Sequence, residues 1–160
     1  MRSLPYDRAA AVRYAERWAM SRNPAYLNFD GLGGDCTNFI SQCVYAGAGV
    51  MNYTPDIGWY YLSPDRRAAA WTGVRFFHRF LIANRGPGPF AREVGRSMLR
   101  PGDVIQLGSA GGVFYHSLLV LDASGPEIYI AAHTEDSLWR PLSSYRFSAA
   151  RYMHVEGVHQ

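Results

Sequence analysis

The chain has 160 residues, 48% of them apolar, which is enough for one folded domain with a sizeable core and argues against a disordered or fibrous chain. Its formal charge is +3, and all 16 of its basic residues are arginines scattered along the sequence, so the basic run of a nucleic-acid binder is missing and no nucleic-acid partner is expected. No window approaches 18 apolar residues, so no integral membrane segment is expected, and the start of the chain lacks the apolar stretch of a signal peptide.

The first predicted element is an amphipathic helix over 7–22. Asp7 can cap it, Ala11, Tyr14, Ala15 and Trp18 share one face, and Asn23-Pro24 stops it. A loop rich in Asn, Asp and Gly follows over 25–34. A second helix is expected from 36 to about 46, with Asp35 as its cap and Gly47 and Gly49 ending it. Phe39, Ile40, Cys43 and Val44 make its buried stripe. Residues 50–72 read as irregular and aromatic, 73–84 as a helix with Phe77, Phe80 and Leu81 inward, and Gly86-Pro87-Gly88-Pro89 as a break.

From Pro101-Gly102-Asp103 onward the period changes from 3.6 to 2. Strands are predicted over 103–107, 115–121, 127–133 and 151–158, with a glycine-rich loop at 108–112 and a turn at 124–126. Helices first and antiparallel strands afterwards give an α+β domain spanning 1–160, with no linker to divide it.

Only two cysteines occur, Cys36 and Cys43. Seven residues apart on one helix, their Cα atoms would lie ~10 Å apart, too far for a disulfide. Cys43 falls on the apolar stripe and reads as core. Cys36 falls in the first turn, where unpaired backbone N–H groups and the helix dipole favour a thiolate, so it reads as a nucleophile.

A cysteine nucleophile needs a base, and five histidines are available. His78 reads as solvated, His159 is terminal, and His154 lies within the last strand. His116 opens an apolar strand directly after a glycine loop, where it could face a helix terminus docked on the sheet. A third residue would orient its ring from the neighbouring strand. A two-residue turn at Ser124-Gly125 would place His133 opposite His116. A register one residue different would place Ala132 there, pair Leu118 with Ile130, and put Thr134 and Asp136 on that face. His133 and Asp136 are both candidates. A zinc site made of His116, His133 and Asp136 is conceivable but lacks any metal-binding spacing, so no metal or other cofactor is expected. No Gly-x-Ser-x-Gly supports a serine nucleophile. Trp59, Tyr60 and Trp71 are candidates for the wall of a substrate cleft.

The sequence resembles the amidase domain family of bacterial cell-wall-associated proteins, a papain-like branch near the NlpC-type and CHAP cysteine peptidases. The resemblance rests on Tyr-Ala-Glu-Arg-Trp-Ala (14–19), Arg-Asn-Pro-Ala-Tyr (22–26), Gly-Gly-Asp-Cys-Thr-Asn-Phe-Ile-Ser-Gln (33–42) and Trp-Thr-Gly-Val (71–74). It continues through Pro-Gly-Asp-Val-Ile-Gln-Leu (101–107), Tyr-His-Ser-Leu (115–118), Ala-Ala-His-Thr-Glu-Asp-Ser (131–137) and Arg-Pro-Leu-Ser-Ser-Tyr (140–145). It implies a papain-like fold, Cys36 as nucleophile, His116 as base, and hydrolysis of an amide bond in peptidoglycan or a related peptide. It leaves the third residue open. It also leaves open an acyltransferase or transpeptidase on the same Cys–His pair, a non-catalytic wall-binding module, and the compartment in which the domain works.

Overall fold

A computed structural model describes residues 1–160. In chain order its elements are β1 (Ser3–Leu4), α1 (Arg8–Trp18), α2 (Cys36–Ala48), β2 (Tyr61–Ser63), β3 (Arg66–Arg67), α3 (Ala69–Thr72), α4 (Val74–Ala83) and β4 (Gly88–Val94). There follow β5 (Val104–Gly108), β6 (Phe114–Asp122), β7 (Tyr129–Ala132), β8 (Ser137–Pro141) and β9 (Ala149–His159). The domain is α+β, with helices packed on an antiparallel sheet. No helix is long and apolar enough to cross a membrane.

The sheet runs β1-β9-β5-β6-β7-β8, with β4 on the other side of β9. Strand alternation divides its side chains between two cores. Val104, Leu119, Leu121 and Ala131 join the larger core with Phe39, Ile40 and Val44 of α2. Ile105, Leu107, Leu118, Val120, Ile130 and Ala132 form a smaller core on the opposite face, closed by Leu99 and Leu142. Gln106 and Ser117 are the polar interruptions on the helix face, and Gln106 Nε2 donates to Ser117 Oγ at 3.2 Å.

Several predicted boundaries shift for identifiable reasons. Asp7 caps α1 as expected, accepting from the Ala10 N–H at 3.0 Å. The helix ends at Trp18 rather than Arg22, because the Trp18 carbonyl turns to the Ser21 N–H at 3.2 Å and to His133 Nε2 at 2.8 Å. α2 ends on Gly49 in the left-handed region, φ 69°. Gly47 stays inside it as a contact point, since a Cβ there would come within 2.6 Å of the Asp7 carbonyl. Asp35 does not cap α2; its carboxylate turns back to the Phe29 N–H at 2.8 Å.

The expected break at 86–89 runs straight into β4, whose Pro89 pairs with Val158. β4 is an edge strand, where a missing N–H can face away from the ladder. The β6–β7 hairpin adopts neither predicted register. Leu119 pairs with Ala131 and Val120 with Ile130, two residues beyond the register that paired Leu118 with Ile130. A bulge between Val120 and Asp122 absorbs the difference.

Candidate active site

Cys36 opens α2 and is buried, with 9% of its surface exposed. The next residue anchors this end of the helix to the sheet: Thr37 Oγ1 lies 2.9 Å from Ser117 Oγ on β6. The Cys36 sulfur lies 3.8 Å from Thr37 Oγ1. Burial pushes the Cys36 thiol up, while the Ser117 N–H and the hydroxyl and N–H of Thr37 pull the other way without overcoming it. Desolvation thus outweighs the helix start and opposes the resting thiolate that the sequence suggests.

His116 is also buried and immediately precedes Ser117. It pairs with Leu107, whereas Ser117 pairs with Gln106, so its imidazole leaves β6 on the face of the smaller core. There its ring lies 5.7 Å from that of Tyr145. Burial and then the positive charge of Arg140 lower its pKa to about 4, so it rests as a neutral base. No hydrogen bond joins His116 to Cys36. The N–H that acts on the sulfur belongs to the peptide between His116 and Ser117, but the imidazole leaves the strand on the face opposite α2, so it does not face the helix terminus as the sequence suggested.

Neither candidate for the third position reaches His116. The observed register puts His133 on the helix face, where its ring stacks on Phe39 at 3.8 Å. Its Nδ1 lies 2.5 Å from Asp35 Oδ2 and its Nε2 2.8 Å from the Trp18 carbonyl oxygen, so both ring nitrogens are already engaged. Asp136 accepts two hydrogen bonds from Arg22, each 2.9 Å. The same guanidinium reaches Asp30 at 2.6 Å. His133 and Asp136 thus belong to an Arg22-centred cluster beneath the start of α2, which also separates them from His116 as zinc ligands. Burial raises the Asp35 carboxyl, but hydrogen bonds from His133, the Phe29 N–H and Asn38 more than offset this and hold it below the usual carboxylate range.

The cleft-wall expectation fails for two of its three aromatics. Trp59 and Trp71 are fully buried and packed against each other, their rings tilted by 34° with centroids 4.7 Å apart. Their indole N–H groups donate inward, to Ser41 Oγ at 3.0 Å and Asn38 Oδ1 at 3.1 Å. Large apolar rings with internal partners gain more from the core than from a wet cleft. Tyr60 remains half-buried at the surface, 5.7 Å from Tyr53. Thr37, Ser117 and Arg22 escaped the sequence reading, and Asp35 was read only as a helix cap, because each is a common surface residue type whose long-range partners the sequence does not display.

Two kinds of comparison bear on this site. The profile of a family described as "Putative amidase domain" matches residues 5–155, a span that includes Cys36, His116, His133 and Asp136. The chain belongs to this amidase domain family. Among relatives, the amidase domain is 36% identical over 153 residues to YhbB of Bacillus subtilis (strain 168), a protein described as uncharacterized; the match covers 93% of this chain and 48% of YhbB. It is 27% identical over 141 residues to YjcM of the same organism, also described as uncharacterized, covering 83% of this chain and 32% of YjcM. The chain thus spans about half or less of the length of these relatives. No solved structure matches it significantly.

Proposed function

We propose that this amidase domain, a single unit over 1–160, is a cysteine-dependent amide hydrolase of papain-like fold acting on cell-wall peptidoglycan or a related peptide. Membership of an amidase domain family supports the reaction class. The observation that carries the assignment of residues is the 2.9 Å bond between Thr37 and Ser117, because it docks the residue after the proposed nucleophile onto the residue after the proposed base.

The chemistry starts from two neutral partners. The Cys36 thiol gives its proton to the neutral His116 imidazole as the sulfur attacks the amide carbonyl carbon. Hydrogen-bond distances at a catalytic pair commonly close only when substrate is bound, and in the resting geometry no hydrogen bond joins His116 to Cys36. Backbone N–H groups at the start of α2 are suited to the oxyanion. The C–N bond then breaks, the leaving amine takes the proton from His116, and a thioester remains. Water, deprotonated by His116, attacks that thioester and releases the carboxylic acid and the free thiol.

Digestion of purified peptidoglycan, read by mass spectrometry of the soluble products, tests this reading. Wild-type protein is expected to release new amine and carboxyl ends, with Cys36→Ala inactive and His116→Ala reduced at least about 100-fold. Free glycan strands identify an N-acetylmuramoyl amidase, and shortened stem peptides an endopeptidase. Full activity in Cys36→Ala rejects the cysteine mechanism.

A further inference from the structure

A cavity of about 550 Å³ lies away from Cys36, between α4 and the turn at 52–58. That volume falls within the range of small-molecule sites. Its floor and walls are apolar, made by Ile57, Phe76, Phe80 and Ala83. Ile57 is 73% exposed and Phe76 41%, so both present apolar surface at the cavity mouth. The shape is built into the backbone. A Cβ on Gly58 would come within 2.3 Å of the Asn52 carbonyl, and Asp56 holds the turn open with a left-handed φ of 65°.

The polar groups of the floor are satisfied within the protein. Asn84 Nδ2 donates to the Pro89 carbonyl at 2.9 Å, and its Oδ1 accepts from the Gly86 N–H at 2.9 Å. The charged rim differs. Arg79 and Arg85 both line the cavity, both are exposed, and neither takes part in an ion pair or a hydrogen bond to a protein acceptor. Asp56 is the one acid of the lining, so the two arginines leave an excess of positive charge above an apolar floor.

We propose that this cavity binds an apolar carboxylate, its hydrocarbon part on Ile57, Phe76 and Phe80 and its carboxylate on Arg79 and Arg85. Guanidinium groups with free donors match a carboxylate in both charge and planar geometry. Two sources supply this chemistry: a free medium-chain fatty acid, or the C-terminal residue of a peptide ending in an apolar side chain. The site is independent of Cys36 and His116. It also carries its own reporter, since the Trp59 ring stacks on Phe80 at 5.8 Å.

Calorimetric titration of the intact protein with octanoate, octanol, acetyl-leucyl-leucine and the amide of that dipeptide tests the assignment, with tryptophan fluorescence as a second readout. At least one of the two carboxylates is expected to bind saturably, at least about tenfold more tightly than its uncharged counterpart. Whichever binds more tightly identifies the source. Arg79→Ala combined with Arg85→Ala changes only exposed side chains and is expected to erase the preference for the carboxylate; Phe76→Asp is expected to abolish binding by charging the apolar wall. Binding of both carboxylates no tighter than that of their uncharged counterparts, affinity unchanged in the double arginine variant, or no saturation of either carboxylate up to about 5 mM overturns the proposal.

Discussion

At the scale of single residues, His116 carries a cost that pH reveals. In the unfolded chain it titrates near 6.5; in the folded protein burial and Arg140 bring it to about 4. Between those values the unfolded chain binds a proton that the folded chain refuses, so folding is fully favoured above 6.5 and weakens as pH falls toward 4. The full window is worth about 3 kcal/mol, and the slope flattens below it. Asp35, whose pKa is lowered, adds its own loss only at more acidic pH. Urea denaturation at intervals from pH 7 to 4.5 is expected to show stability falling in wild type and falling less in His116→Phe, by about 2–3 kcal/mol at the acid end. An identical slope in the two proteins would show that His116 is not held neutral. Cys36 and His116 could be singled out as candidates because glycines precede each and an apolar run follows each. The protonation state of Cys36 was not legible, because desolvation depends on what the rest of the chain folds over the sulfur.

At the scale of elements, the start of α2 is held by long-range partners rather than by its own cap. Asp35 accepts from the Phe29 N–H, from Asn38 Nδ2 at 2.9 Å and from His133, and Arg22 approaches it at 3.7 Å. Removing a buried carboxylate of this kind leaves several donors without an acceptor, so Asp35→Ala is expected to cost about 3–5 kcal/mol in urea denaturation. His133→Ala should lose much of the same energy. The double variant is expected to fall short of the sum by about 1–3 kcal/mol, because each single change already breaks the shared bond. Strict additivity would mean that the two residues act separately. The helices and most strands of the domain were readable from periodicity, yet this clamp was not. It depends on the β6–β7 register, and a bulge that leaves no mark in the apolar pattern accompanies a slip of one residue from the register that set His133 opposite His116. The same slip took His133 from the expected partner of His116 to the partner of Asp35.

At the scale of the whole molecule, the stretch from Trp59 to Trp71 builds a wall of the larger core rather than a loop over Cys36. Composition alone could not separate the two, since both uses favour Tyr and Trp. The wall is tied to the candidate nucleophile through a chain of contacts. Trp59 donates to Ser41, Ser41 donates to the Trp71 carbonyl at 2.9 Å, Trp71 donates to Asn38, and Asn38 donates to Asp35, the residue before Cys36. Trp71 also stacks on Tyr26 at 6.0 Å, which joins the loop before α2 to the same wall. Trp71→Leu removes the stack and leaves Asn38 Oδ1 buried without a donor, so a loss of about 3–5 kcal/mol is expected. Asn38→Ala keeps the stack and breaks the chain at one link, for about 1–3 kcal/mol. If the wall positions Cys36, both variants should speed hydrogen exchange in the first turn of α2, with Trp71→Leu also loosening residues 23–35. If Trp71→Leu destabilises the protein globally while the first turn exchanges as slowly as the rest of α2, the wall supports the core and has no separate hold on the sulfur.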